Sequence, residues 1–349
     1  MSGLGAERIG LFQNLKNKKI LLDVSLVIIV ALAGGLFAWH LFDALGEDVL
    51  EWRFSVVLTA FPSPVMFAAG HGMNNIDVGA IPELAAFYRT ETSHFDPALI
   101  PDEYKGFPLS GSYAYMHFYL LYAIGWAWRL FGISFHSIHL LCIFLYMVMI
   151  AALYGVFRLG MGRVLSFIGT MIAAASPAYL LSCPSLRDFG KAPFILICFF
   201  ILGMLLKHRH TRRPLFIYTL FYGLAAGIGY GFRQDLLVCV PAAIVVLLLF
   251  VQVEDPRPRL LRFAASAVLL FVFLVVGFPV MYGVRQDNGS ASAQAFTQGV
   301  SEIVEDRMDF GHASYSMHHH YSDYFDFTVV NNYARRTGYE EPMAGHFSA

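Results

Sequence analysis

Lys207-His208-Arg209-His210-Thr211-Arg212-Arg213 separates two apolar runs, 192–207 and 214–232, and its side of the bilayer decides how the chain is threaded. Cytoplasmic loops of membrane proteins are enriched in Lys and Arg, and this stretch is the strongest inside signal in the sequence. Weaker signals of the same kind are Arg158–Arg163, Arg257–Arg262 and the N-terminal set Arg8, Lys16, Lys18 and Lys19. The composition supports that reading. Of 349 residues 57% are hydrophobic and 14% charged, and mean hydropathy is +0.57. A soluble domain has about 45–50% apolar and about 25% charged residues, so this is a polytopic membrane protein. The net charge of −1 supplies no basic field for nucleic acid.

A spanning helix needs about 20 apolar residues. Seven runs qualify: 20–42, 135–157, 164–182, 192–207, 214–232, 236–253 and 260–283. Two others, 53–70 and 112–131, are ambiguous. Pro62 and Pro64 suit the first to a re-entrant or surface segment, and the aromatic belt of the second suits an interfacial helix. All four basic segments face the cytoplasm if both ambiguous runs span or if neither does, and the second case is preferred. The expected architecture is then an all-α membrane protein with seven spans. It has a cytoplasmic 1–19, a first span 20–42, and a long extracytoplasmic loop 43–134. A six-helix region 135–283 and an extracytoplasmic segment 284–349 complete it. No small-residue cleavage site follows the basic N-terminus, so the first helix is read as retained. Cys142, Cys183, Cys198 and Cys239 lie in or beside apolar runs without CxxC spacing, which suits packing rather than a disulfide or zinc framework.

This threading puts the loop Ser182-Cys-Pro-Ser-Leu-Arg-Asp-Phe-Gly-Lys191 on the outer face, together with the turn Gly231-Phe-Arg-Gln-Asp235. Charge beside hydrocarbon is costly, so ionisable groups at a membrane boundary are functional candidates. An Asp here can act as general base toward an acceptor hydroxyl. Arg offers a bidentate fork for phosphate and Lys a point charge. These are the parts needed to move a sugar off a lipid phosphate. The plain alternatives are a helix-end ion pair for Arg187–Asp188, a snorkelling turn for Arg233–Asp235, an interfacial anchor for Lys191 and a turn residue for Asp77.

The layout resembles the GT-C class of integral-membrane glycosyltransferases, which use polyprenyl-phosphate-linked sugars. The resemblance covers roughly residues 20–283. It rests on a first span followed by a long outer loop, and on a helix pair leading through Ser176-Pro177 to Leu186-Arg187-Asp188. It also rests on the Gly-rich run Gly223…Gly227…Gly229…Gly231-Phe232-Arg233, and on Phe118-Tyr-Leu-Leu-Tyr…Trp128-Arg-Leu-Phe-Gly-Ile-Ser134 as a juxtamembrane helix and turn. The chain is short for the class, which points to a short or truncated member. The resemblance implies Asp188 as the second-loop acid and Arg233 as a phosphate contact, with Arg187, Lys191 and Asp235 beside it. It also implies a first-loop acid. Asp77, in Gly70-His-Gly-Met-Asn-Asn-Ile-Asp77, is favoured over Asp43 and Glu47-Asp48.

The function expected is transfer of a sugar from a polyprenyl-phosphate donor to an extracytoplasmic acceptor at a bacterial inner membrane. No cofactor is implied, and use of a divalent metal is left open. His318-His-His320, near Asp323 and Asp326, lacks ligand spacing and reads as part of an amphipathic outer helix. Two rivals are a transporter or flippase, which would place charges mid-span, and a non-catalytic assembly subunit. The enzyme reading requires an outward pocket, open sideways to lipid, with Asp188 and Arg233 within about 10–12 Å.

Overall fold

The computed structural model describes residues 3–45, 62–101, 103–285 and 336. Candidate residues Glu47 and Asp48, the start of the 53–70 run and the 318–320 histidines lie outside the described residues. The chain divides into two compact units. The first holds 1–109 and 116–280, the second 110–115 and 281–349.

In the first unit, α1 (Gly3–Leu45) leads to α2 (Ser63–Ala68) and then a region of short elements. These are β1 (Asn74–Asn75), α3 (Pro82–Tyr88), β2 (His94–Phe95) and β3 (Phe107–Pro108). After α4 (Ser112–Met116), whose residues 112–115 belong to the second unit, come α5 (Phe118–Phe131) and β4 (Ile133–Ser134). The helical region comprises α6 (Phe135–Gly160), α7 (Arg163–Ala174), α8 (Pro177–Leu180), α9 (Leu186–Phe189) and α10 (Ala192–Lys207). It continues through α11 (Arg212–Tyr230), α12 (Cys239–Leu249) and α13 (Pro258–Arg285). In the second unit, Gly283 leaves room for the Tyr115 ring, which a Cβ would overlap.

Each of the seven apolar runs is helical. Among the described residues four helices are long and apolar enough to cross a membrane by length and composition: Ile20–Leu45, Phe135–Gly160, Leu186–Lys207 and Pro258–Arg285. The other three runs are shorter or less apolar. Run 164–182 divides at Ser176-Pro177, where Ser176 is extended (ψ 126°) because proline disfavours a helical residue before it. The 12-residue α7 is therefore about 18 Å long, against about 30 Å of hydrocarbon. The 112–131 run is also two helices, parted at His117. Two antiparallel ladders, β1 with β3 and β2 with β4, lie among the helices of the 43–134 region.

Helix packing follows small residues and caps. Gly223 and Gly227, four apart on α11, let the α13 backbone approach; a Cβ at either would press on Val272 or Val276. Gly34 on α1 does the same for Ile150 of α6. The Ser134 hydroxyl caps α6 by accepting from the Ser137 N–H at 3.2 Å. Tyr146 ties α6 to α7 through the Ala174 carbonyl, and Tyr222 ties α11 to the Cys239 carbonyl, both at 2.8 Å.

The basic segments gather at one end of these helices. Asp23 of α1 takes Arg158 (3.3 Å) and Arg163 (2.8 Å). Lys207 donates to the Leu159 carbonyl, and Arg212 pairs with Asp255 at 2.6 Å. α10 and α11 run from this end to the other over about 24 and 28 Å.

Candidate functional site

Arg187, Asp188, Lys191, Arg233 and Asp235 meet at the far end. Arg233 pairs with Asp188, and its Nε lies 3.1 Å from Asp235. Lys191 pairs with the same Asp235 oxygen, and Arg187 Nε lies 3.8 Å from Asp188. The α9 turn carries Arg187 and Asp188, and Lys191 immediately precedes α10. The chain leaving α11 at Gly231 carries Arg233 and Asp235. Three cations and two carboxylates leave the cluster one positive charge in excess. Arg233 is the bridge between the two acids.

Asp188 also borders a cavity of about 480 Å³ between α6, the α8–α9 segment and α10. Met149, Leu153, Phe189, Ile195 and Leu196 give it apolar walls, and Tyr179, Ser182 and Ser185 add hydroxyls beside the acid. The apolar walls end at Asp188, whose partners Arg187 and Arg233 bring positive charge beside it, so hydrocarbon can lie along the walls and an anion next to the arginines.

Asp77 stands apart from this arrangement. Its carboxylate accepts from the Gly79 N–H at 2.9 Å, and its own N–H donates to the Tyr104 hydroxyl at 3.1 Å. That is the geometry of a turn former. Among the described residues no ion pair or hydrogen bond links it to the five-charge cluster. Asp43, at the end of α1, borders a second cavity of about 280 Å³ with His94, His136 and His139. Among the described residues no group of three His, Cys, Asp or Glu is placed to hold a metal ion. All four cysteines are free thiols.

Sequence reasoning missed His117. It immediately precedes α5 and is buried (5% exposed), and its Nδ1 lies 2.9 Å from the Phe232 carbonyl, next to Arg233. A carbonyl only accepts, so Nδ1 carries the proton. Burial pushes its pKa down to about 4, aided by the nearby charges of Arg187 and Arg233 and opposed by the Phe232 bond. In sequence it is one polar residue in an aromatic stretch. Only the contact across 115 positions gives it away.

Residues 116–282, a little under half the chain, match the family model of dolichyl-phosphate-mannose-protein mannosyltransferases. The matched segment contains the whole charged cluster, His117 and the apolar cavity, and leaves Asp43 and Asp77 outside. No curated protein and no solved structure matches the chain. Residues 116–282, with their apolar helices and the charged cluster at the helix ends, are thus similar to a membrane glycosyltransferase domain.

Proposed function

We propose that the protein transfers a sugar from a polyprenyl-phosphate donor to an acceptor on the outer side of a bacterial cytoplasmic membrane. The observation that carries this reading is the meeting of Asp188 and Arg233 at the rim of the apolar cavity. The prenyl chain would lie along Met149, Leu153 and Ile195. The phosphate would be held by Arg233 with Lys191 and Arg187. The acceptor hydroxyl oxygen attacks the anomeric carbon as the bond from that carbon to the phosphate oxygen breaks. The phosphate leaves with the electron pair, and a carboxylate takes the hydroxyl proton. Asp188 is the acid at the cavity rim, and Asp235 holds Arg233 and Lys191 toward it.

For the first-loop acid, the reading prefers Asp43 to Asp77. Asp43 opens onto a cavity, whereas the Asp77 carboxylate is engaged in its own turn. Outer placement of the cluster is supported by the basic residues gathered at the opposite helix ends.

The test is sugar transfer by the purified chain in lipid nanodiscs. Polyprenyl-phosphate mannose is the first donor, followed by a panel of other polyprenyl-phosphate sugars. Asp188→Asn and Arg233→Ala are each expected to lower turnover by roughly 100-fold or more, the scale of a lost acid–base or charge-stabilising group. Asp43→Asn should cost more than Asp77→Asn. Full activity in both cluster variants would sink the assignment.

A further inference from the structure

The loop that carries Arg233 is held by the start of α5. The N–H groups of Tyr119 and Leu120, free of helical partners in the first turn, donate to the Gly231 carbonyl at 3.0 and 3.3 Å. His117 takes the next carbonyl, that of Phe232. The Tyr119 ring lies against Gly231, where any Cβ would overlap it. The Phe232 carbonyl and the Arg233 nitrogen belong to one planar peptide unit. Pinning that carbonyl therefore fixes the rotation of the unit, and with it the direction in which Arg233 leaves the chain. Arg233 is extended there (φ −160°, ψ 136°) and its N–H donates to the Gly229 carbonyl at 2.9 Å, so both faces of the peptide are tied.

We infer that His117 is a positioning residue: its bond to the Phe232 carbonyl carries the seat of α5 to Arg233 and sets how tightly the lipid phosphate is held. His117 is too buried to touch the ligand, so it acts only through Arg233. The inference rests on the reading of Arg233 as the phosphate contact.

The test measures binding of undecaprenyl phosphate to the full chain in nanodiscs. Asn places an N–H close to where the imidazole Nδ1 sits, whereas Gln and Ala do not. His117→Ala and His117→Gln are expected to weaken binding by roughly three- to tenfold, the worth of one buried hydrogen bond. His117→Asn should stay within about twofold, being the variant that keeps that bond. Arg233→Ala should weaken binding by more than His117→Ala, and the double variant should bind no worse than Arg233→Ala alone. If Arg233→Ala leaves binding unchanged, the phosphate reading fails and His117 falls with it. If Arg233→Ala weakens binding but His117→Ala does not, or if Asn is as poor as Ala, only the positioning role is overturned. Should His117→Ala fail to fold, the comparison of Asn with Gln decides, and equal affinities overturn the inference.

Discussion

At the residue scale, exposure separates what the charged cluster does for stability from what it does for chemistry. The Asp188 side chain is 52% exposed and that of Arg233 30%, so solvent screens their attraction. Exposed pairs of this kind contribute about 0–1 kcal/mol. Removing either charge should leave the fold nearly intact, and a large fall in transfer would then report lost chemistry. His117 is the opposite case, a titratable group whose burial matters. Its folded pKa of about 4 lies below the ordinary 6.5. Between those values the unfolded chain binds a proton that the folded chain does not. Its contribution is thus fully present above about pH 6.5 and is lost as pH falls toward 4, by at most about 3 kcal/mol. Arg187, Arg233 and Asp235 are the charges that face it. Thermal unfolding followed from pH 7 to pH 4 should therefore drop more steeply in the native chain than in His117→Asn. Parallel curves would show that His117 is not the group responsible.

At the element scale, α5 has the pattern expected of a helix lying along a surface. Leu120, Leu121, Ile124, Ala127 and Trp128 are buried and follow helical spacing on one face. Trp126, Leu130 and Phe131 are 50%, 68% and 61% exposed, on a chain whose other long helices are apolar. The Arg129 guanidinium sits 5.5 Å from the Trp126 ring and 5.7 Å from Phe67, a cation above aromatic faces. Tryptophan and arginine together suit the headgroup level. The tryptophan emission that disappears in Trp126→Phe should be quenched more strongly by lipids brominated near the headgroup than by lipids brominated at the chain end. Stronger quenching from the chain end would place α5 across the bilayer and reopen the threading. Such an interfacial helix would couple the membrane surface to Arg233 through Tyr119, whose hydroxyl also reaches the Val276 carbonyl of α13 at 2.7 Å.

At the scale of the whole molecule, threading is the property on which the functional reading turns. Ser182 and His208 are both exposed, at opposite ends of the helical region. A membrane-impermeant maleimide should label Ser182→Cys from the outer side and His208→Cys only after the inner side is opened. The reverse pattern would put the cluster in the cytoplasm and remove the proposed acceptor. Hydropathy and charge made the seven helical runs legible. They also singled out Arg187-Asp188 and Arg233–Asp235, which the fold brings into one cluster. Sequence did not disclose the partners: Asp23, near the start of the 20–42 run, holds two arginines from other helices. Asp77 looked like a site because glycines surround it, but its nearest polar partner is its own turn. Such pairings depend on contacts between distant segments, for which one chain read alone carries no signal.

The corner between α5 and α6 shows how little slack the arrangement has. Gly132 stands at φ 87°, the next two residues pair with His94 and Phe95, and Ser134 caps α6 while its carbonyl accepts the Trp128 indole N–H. One residue inserted there would rotate α6 by about 100° unless the ladder or the cap gave way. Because α6 meets α1, α7 and α10, a length change at this corner reaches most of the first unit. The exposed Lys207–Arg209 stretch is tied by side chains only, Lys207 to the Leu159 carbonyl and Arg209 to Gln252. Natural variation in chain length should therefore be excluded from the corner.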